Sequence, residues 1–271
     1  MVMRGRQNGA MTGGLSETVW SELVGTVAVV DLETACELYG RDLLPYPLGR
    51  TRPVGSVWLT RRDVGPAEER LSDGDLRGIR PWVEALVRAD VCVECRVHHF
   101  DEDAPDLRLH ALRSDGDGFV AMQRRDRDGV DVVDVFAVPP ESLGRVVTDA
   151  VALVGAGTHP RIAVAGMGDR LPEPPETLDR YDDLGLTITP AASQEPAVSV
   201  VDGRNVVATG TVQSRYDGAR HWGTDPDRPL LQWVQVRDDG DYLYEADDTG
   251  CAEPLDAELL SACVDQLIIR G

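Results

Sequence analysis

Cys92-Val93-Glu94-Cys95, followed by His98 and His99, is the densest grouping of metal-type ligands in the chain. Zinc takes four nitrogen or sulfur ligands in a tetrahedron, and a Cys-x-x-Cys pair that holds it usually sits on a knuckle turn. The surrounding residues predict something else. Val91, Val93, Cys95 and Val97 alternate with Cys92, Glu94, Arg96 and His98, which is the period of a strand. On a strand Cys92 and Cys95 point to opposite faces. Cys36, Cys251 and Cys263 add no paired spacing. Free thiols buried in a sheet are therefore the expectation. A small metal-binding protein using Cys92, Cys95 and His99 is the rival reading.

Other chemical signals are weaker. Gly155-Ala156-Gly157 follows an apolar run, but a dinucleotide loop needs a third Gly where Pro160 stands and a strand, not a helix, before it. Asp-Gly-Asp occurs at 73–75, 115–117 and 239–241. None has the ligand order of a calcium loop, so all three are read as turns. There is no Gly-x-Ser-x-Gly elbow and no His-Glu-x-x-His. With 5 His and 47 acids, chance His–Asp pairs carry no information. No catalytic residue, cofactor or metal is expected. Trp20, Trp58, Trp82, Trp222 and Trp233 are read as core anchors, with one or two available for a partner surface.

The elements that would position these residues follow from turn chemistry and periodicity. Arg113-Ser114-Asp115-Gly116-Asp117 and Arg237-Asp238-Asp239-Gly240-Asp241 lie 124 residues apart and head similar segments. Asp-Gly between alternating apolar residues predicts a hairpin turn with positive φ at its central positions. Each copy then runs into a second turn at Asp128-Gly129 or Thr249-Gly250, a Pro at 139 or 254, and an amphipathic tail. The prolines suit a first helical turn. The pattern predicts two copies of a strand–turn–strand–turn–strand–helix unit. The fold class expected is α/β of the α+β type, a central antiparallel sheet with flanking helices and quasi-two-fold internal duplication. The halves are 17–154 and 155–271, after a disordered tail at 1–16.

Further elements fill the gaps. A strand at Thr26 to Val30 leads through Asp31, a candidate N-cap, into a helix with Leu32, Ala35, Cys36 and Tyr39 on one face and Gly40 at its end. Two prolines keep Leu44 to Leu48 out of helix. A helix from Pro81 to about Arg88 is predicted. Strands are expected at about 107–113, 118–125, 131–138, 162–165, 206–213, 229–237 and 241–246. The helix after Pro139 places Leu143, Val146, Val147, Ala150 and Val154 on one stripe. A short helix is expected at Pro175 to Leu184. A final helix from Leu255 carries Leu259, Ala262, Cys263 and Leu267 on one face.

Composition narrows the partners. The 47 acids outweigh 27 basic residues, all of them Arg, for a net charge of −20. That balance disfavours nucleic acid, whose binding rests on neutralising phosphates, and anionic membrane surfaces for the same reason. It favours steering of basic partners. A genome or habitat that enriches Arg and Asp is the alternative explanation. No apolar run approaches the roughly 20 residues that span a bilayer. Met1 to Gly14 does not read as a secretory signal, and Met11 is a possible alternative start. Five Cys, an odd number unclustered apart from Cys92 and Cys95, fit reduced thiols and a cytoplasmic location.

Tyr39-Gly40 followed by Leu44-Pro45-Tyr46-Pro47-Leu48, the Ala89-Asp90-Val91 strand start, Arg113 with Gly116-Asp117, Val138-Pro139, and Trp233 to Leu243 followed by Pro254 form a further pattern along the chain. On these residues the chain resembles the EspG family of type VII (ESX) secretion in actinobacteria. The likeness spans roughly residues 22–269. It departs where Gly55, Gly65 and Pro66 interrupt the family's helix at about 50–72, and where Pro190 and Pro196 fall in its helical stretch at about 190–203. The resemblance implies a non-enzymatic cytosolic chaperone that recognises the apolar tip of a PPE protein within a PE–PPE heterodimer, shields it and delivers it to the secretion machinery. An EspG-fold protein with a different client is the first alternative. The family uses a loop between early strands near its client. That places Phe100, Asp101, Glu102 and Asp103 at the expected partner surface: Phe100, with nothing local to pack on, against the apolar tip, and the three acids steering. A solvated hairpin loop is the plain alternative. Client identity and oligomeric state stay open.

Overall fold

The computed structural model describes residues 22–51, 65–101, 103–165, 198–216, 223–244 and 250–270. Trp20, Trp58, Trp222, Glu102, the N-terminal tail, Pro190, Pro196 and the helix expected at 175–184 lie outside the described residues.

The described residues form an α+β structure with one large mixed sheet of 11 strands. In chain order the strands are β1 (Glu22–Ala28), β2 (Val91–His99), β3 (Leu107–Ser114), β4 (Asp117–Arg125), β5 (Asp131–Val138), β6 (Ile162–Ala165), β7 (Ser199–Asp202), β8 (Val206–Arg215), β9 (Leu230–Val236), β10 (Gly240–Tyr244) and β11 (Cys251–Pro254). They lie side by side as β1-β5-β4-β3-β2-β8-β9-β10-β11-β6-β7. The helices are α1 (Val29–Leu38), α2 (Ala67–Ser72), α3 (Arg80–Arg88), α4 (Leu143–Val151) and α5 (Ala257–Arg270). Every pairing between these strands is antiparallel except β6 with β7, so the sheet is mixed rather than purely antiparallel. Among the described residues no helix is long and apolar enough to cross a membrane.

Alternation along the strands builds two layers. Cys92, Leu112, Ala121, Val133 and Val135 face α1 and α3 and pack around Trp82, Leu32 and Leu86. On the opposite face Val91, Val93, Cys95, Val97, Leu109, Ala111 and Val120 pack under α4 and α5 through Leu143, Val146, Val147, Leu260 and Val264. A third cluster, with Val234, Val236, Tyr242, Ile162 and Ala252, fills the β9–β10–β11–β6 end. Trp82 and Trp233 are core anchors as expected. Trp233 lies against β8 at Gly210, where a Cβ would sit 2.0 Å from the indole ring.

The first Asp-Gly turn has the predicted form. Ser114 pairs with Asp117, and the two residues between them, Asp115 and Gly116, have φ of 50° and 94°. The second differs. Val236 pairs with Gly240, leaving three loop residues, of which Asp238 carries the positive φ of 58°. Gly240 is glycine for another reason: a Cβ there would meet the Gly157 backbone at 2.7 Å. The turn assignment for Gly240 is therefore corrected from conformation to close approach.

Several boundaries also move. Asp31 is not an N-cap; it lies in the first turn of α1 behind Ala28, where its charge suits the helix dipole. Pro254 ends β11 instead of opening a helix. Val154 falls beyond α4, which stops at Ala152 with φ of 52°, and is exposed. In α5 the buried stripe is Leu260, Val264 and Leu267, while Leu259 is exposed and Cys263 only partly covered. This helix is apolar on more than one face, so periodicity alone did not choose the stripe; packing against α4 did.

Candidate partner-binding surface

The loop predicted to meet a partner leaves the centre of the sheet, because β2 and β8 are its middle pair. Phe100 extends β2 by one step, its N–H donating to the Val207 carbonyl at 2.9 Å. Its side chain is 55% exposed. It does have a local partner, which corrects the sequence reading. The His98 ring meets it edge-on, with centroids 5.1 Å apart and planes 77° from parallel. Asp101 folds the turn: its carboxylate accepts from the Asp103 N–H at 3.0 Å and its carbonyl from the Ala104 N–H at 3.1 Å. The Asp103 side chain is exposed. Glu102 lies outside the described residues.

Asp106, at the far end of the loop, turns inward. It accepts from His98 Nδ1 at 2.9 Å, the His99 N–H at 3.3 Å and Arg96 at 3.4 Å. Partial burial pushes its carboxyl up, but the hydrogen bonds from His98 and His99 and the Arg96 charge outweigh that, so it stays below the ordinary carboxylate range. The sequence reading gave Asp106 no role. Its tie to His98 depends on side-chain direction at a strand end, which no local motif signals.

Beyond the loop, one face of the central strands carries a polar band. Cross-strand register sets it in rows. Thr211, Arg96, Arg108 and Gln123 are neighbours on β8, β2, β3 and β4, and Gln213, Glu94 and His110 form the row beside them. The second row is buried. Glu94 Oε2 and Arg215 Nε approach to 2.9 Å with both side chains almost fully covered, though out of line for a hydrogen bond. Arg215 also donates to the Gly223 carbonyl, and Gln213 donates to the Asp225 carbonyl at 2.8 Å and accepts from the Asp225 N–H at 2.7 Å. Burial pushes the Glu94 carboxyl up to about 7 against the pull of Arg215. Burial, aided by Arg41 and Arg215, pushes His110 down to about 3. These groups tie the 223–228 segment to β8 and hold the middle of the sheet.

The remaining chemical candidates separate. Cys92 and Cys95 sit in different apolar clusters on opposite faces. Burial pushes the Cys92 thiol up to about 12 and raises Cys95 as well. Among the described residues no group of three or more His, Cys, Asp or Glu is placed to hold a metal ion. The Gly155–Gly157 segment spends its polar groups within the chain: the Val154 and Gly155 N–H groups donate to the Asp241 carboxylate at 2.7 and 3.1 Å, and the Gly157 N–H donates to the Asp241 carbonyl at 3.2 Å. The turn acids Asp239 and Asp241 are thus clamps on this segment, with Thr158 and Tyr242 completing the set around Asp239.

No family model matches the chain, and comparison with curated proteins gives no match.

Proposed function

We propose that the protein works by binding another protein and has no catalytic activity of its own, as a cytoplasmic chaperone of the EspG kind in type VII secretion. Its client in this reading is a PE/PPE-like helical heterodimer whose apolar tip it covers until delivery. The observation that carries the reading is Phe100: a large apolar side chain, 55% exposed, on a turn rooted in the middle pair of the sheet. An aromatic held out from a rigid platform is what a binding hot spot requires, because little conformational freedom is left to lose on association.

The reading also takes the two halves as internal copies. What supports this is strand order. Outward from the middle pair one side runs β2-β3-β4-β5-β1 and the other β8-β9-β10-β11-β6, and a helix follows both β5 and β11. β1 and β6 each join antiparallel to the last strand of their unit. Among the described residues β7 has no counterpart on the first side. Two such units side by side make a broad surface rather than a cleft.

The test is co-expression with candidate PE/PPE-like heterodimers followed by size-exclusion chromatography. A stable complex is expected. Phe100→Ala should weaken it by about tenfold or more, as for a hot-spot aromatic. A complex that forms equally well with Phe100→Ala removes the loop from the interface, and failure to bind any such heterodimer overturns the client assignment.

A further inference from the structure

Arg96 and Arg108 stand directly opposite each other on neighbouring strands. Like charges in that position destabilise a sheet. The surroundings do little to offset it. A guanidinium carries five N–H donors. Among the described residues Arg96 makes one side-chain hydrogen bond, to Asp106 at 3.4 Å, and Arg108 makes one, to the Pro47 carbonyl at 3.3 Å. Both are long for N–H···O bonds. The Nε atom of each is buried with no partner.

The carboxylates nearby are committed elsewhere. Asp106 is shared with His98 and the His99 amide. Asp131 acts on Arg108 through space, yet its oxygens accept from Thr51 at 2.8 Å and face Arg125 at 3.8 Å. Glu94, on the same face of β2, is paired with Arg215. In a chain of net charge −20 this spot has two guanidiniums, and the two carboxylates that act on them, Asp106 and Asp131, are both shared with other groups. It faces the side of the sheet that carries His98, and the His98 ring is in contact with exposed Phe100.

We propose that Arg96 and Arg108 together receive a carboxylate borne by an acidic side chain of a protein partner. Two guanidinium forks match the planar, two-oxygen geometry of a carboxylate. A single negative charge also suits the setting better than a doubly charged phosphate, which the net charge of the chain repels more strongly. The neighbouring aromatic points to a protein source, since aromatic residues and Arg together mark protein interfaces. The inference deepens the partner-binding reading of this face but does not need the client to be a PE/PPE pair.

The experiment uses the full chain with 15N-labelled arginine and follows the Nε–H resonances of Arg96 and Arg108, assigned with Arg96→Gln and Arg108→Gln. The probes are acetate, a blocked helical peptide carrying one Glu beside two Leu, and the same peptide with Gln in place of Glu. Both resonances should move saturably with the Glu peptide, and the Gln peptide should bind about tenfold more weakly or worse, the factor expected for a lost charge-assisted hydrogen bond. Each Arg→Gln variant should abolish the response while its melting temperature stays level or rises, because the like-charge opposition is relieved. A pair kept only for the fold would do the reverse. Resonances that ignore the Glu peptide, or respond equally to the Gln peptide, overturn the proposal. Acetate binding as tightly as the peptide overturns the protein-partner part in favour of a small anion. Candidate heterodimers can fail to bind without touching this result, so the two readings fall separately.

Discussion

Glu94 and His110 are directly opposed across β2 and β3, and burial pulls their titrations in opposite directions. Glu94 rises from its ordinary 4.5 to about 7. The folded chain therefore holds a proton that the unfolded chain has released between these values, and stability falls as pH climbs through that window. His110 drops from 6.5 to about 3. There the unfolded chain holds the extra proton, so stability rises with pH across 3 to 6.5. In the overlap the two slopes oppose each other, and the pair buffers the fold. Glu94→Gln should uncover the His110 slope in that overlap: its melting temperature should keep climbing between about pH 4.5 and 6.5, where that of the wild type levels off, while the two run parallel below 4.5. It should also lower stability near pH 8, because Arg215 is left buried beside a neutral partner. Parallel melting profiles for the two proteins would contradict the assignment. Nothing in the local sequence around Glu94 marks it as buried; it reads as a solvent-facing strand residue until Arg215 arrives from 121 residues away in the chain.

At the scale of elements, the two Asp-Gly hairpins make different demands on glycine. Gly116→Ala places a Cβ at φ of 94° with open space around it. The cost should be about 1–2 kcal/mol, that of a left-handed residue. Gly240→Ala drives a Cβ into the Gly157 backbone, so the segment after α4 must shift. A cost of about 1–3 kcal/mol is expected from overpacking. Denaturant unfolding gives both numbers, and amide exchange separates the causes. Residues 154–158 should lose protection in Gly240→Ala and keep it in Gly116→Ala. Asp241→Ala should act on the same segment, since it leaves two inward N–H groups without their acceptor, at about 1–3 kcal/mol for each. Protection at 154–158 unchanged by Asp241→Ala would show that the clamp carries no weight. The hairpins themselves were readable because a tight turn declares itself within four residues. The clamp was not, because Asp241 looks like any residue after a turn.

For the whole molecule, the sheet forms one continuous array in which the central strands β2 and β8 share eight register pairs. A partner seated on the loop after β2 presses on this pair rather than on a peripheral flap. Binding at Phe100 should then protect the amides of β2 and β8 from exchange as well as those of the loop. Protection confined to 100–106 would make the loop an independent element. The acids of the loop belong to this scale as well. Changing Asp101, Glu102 and Asp103 together to Ser should slow association with a basic-faced client at low salt and leave dissociation nearly unchanged, because steering acts over the Debye length and not in the contact. An unchanged on-rate at low salt would leave these acids as solvated turn residues.

The sequence by itself determined what is decided within a few residues. Period-two alternation placed β2 at Val91–His99 and sent Cys92 and Cys95 to opposite faces. Asp115-Gly116 specified its turn, and the punctuation at Pro139 marked the start of the segment that holds α4. Tertiary structure alone decided what depends on residues far apart in the chain. It set β6 and β7 at one end of the sheet, chose Leu260 and Val264 over Leu259 as the buried stripe of α5, gave Gly240 a steric role, and brought Arg96 opposite Arg108. The physical reason is one of range. Turn dihedrals and side-chain alternation are local energies that each segment carries with it. Register, burial of an ambiguous helix face and the meeting of like charges are settled only when the strands pair.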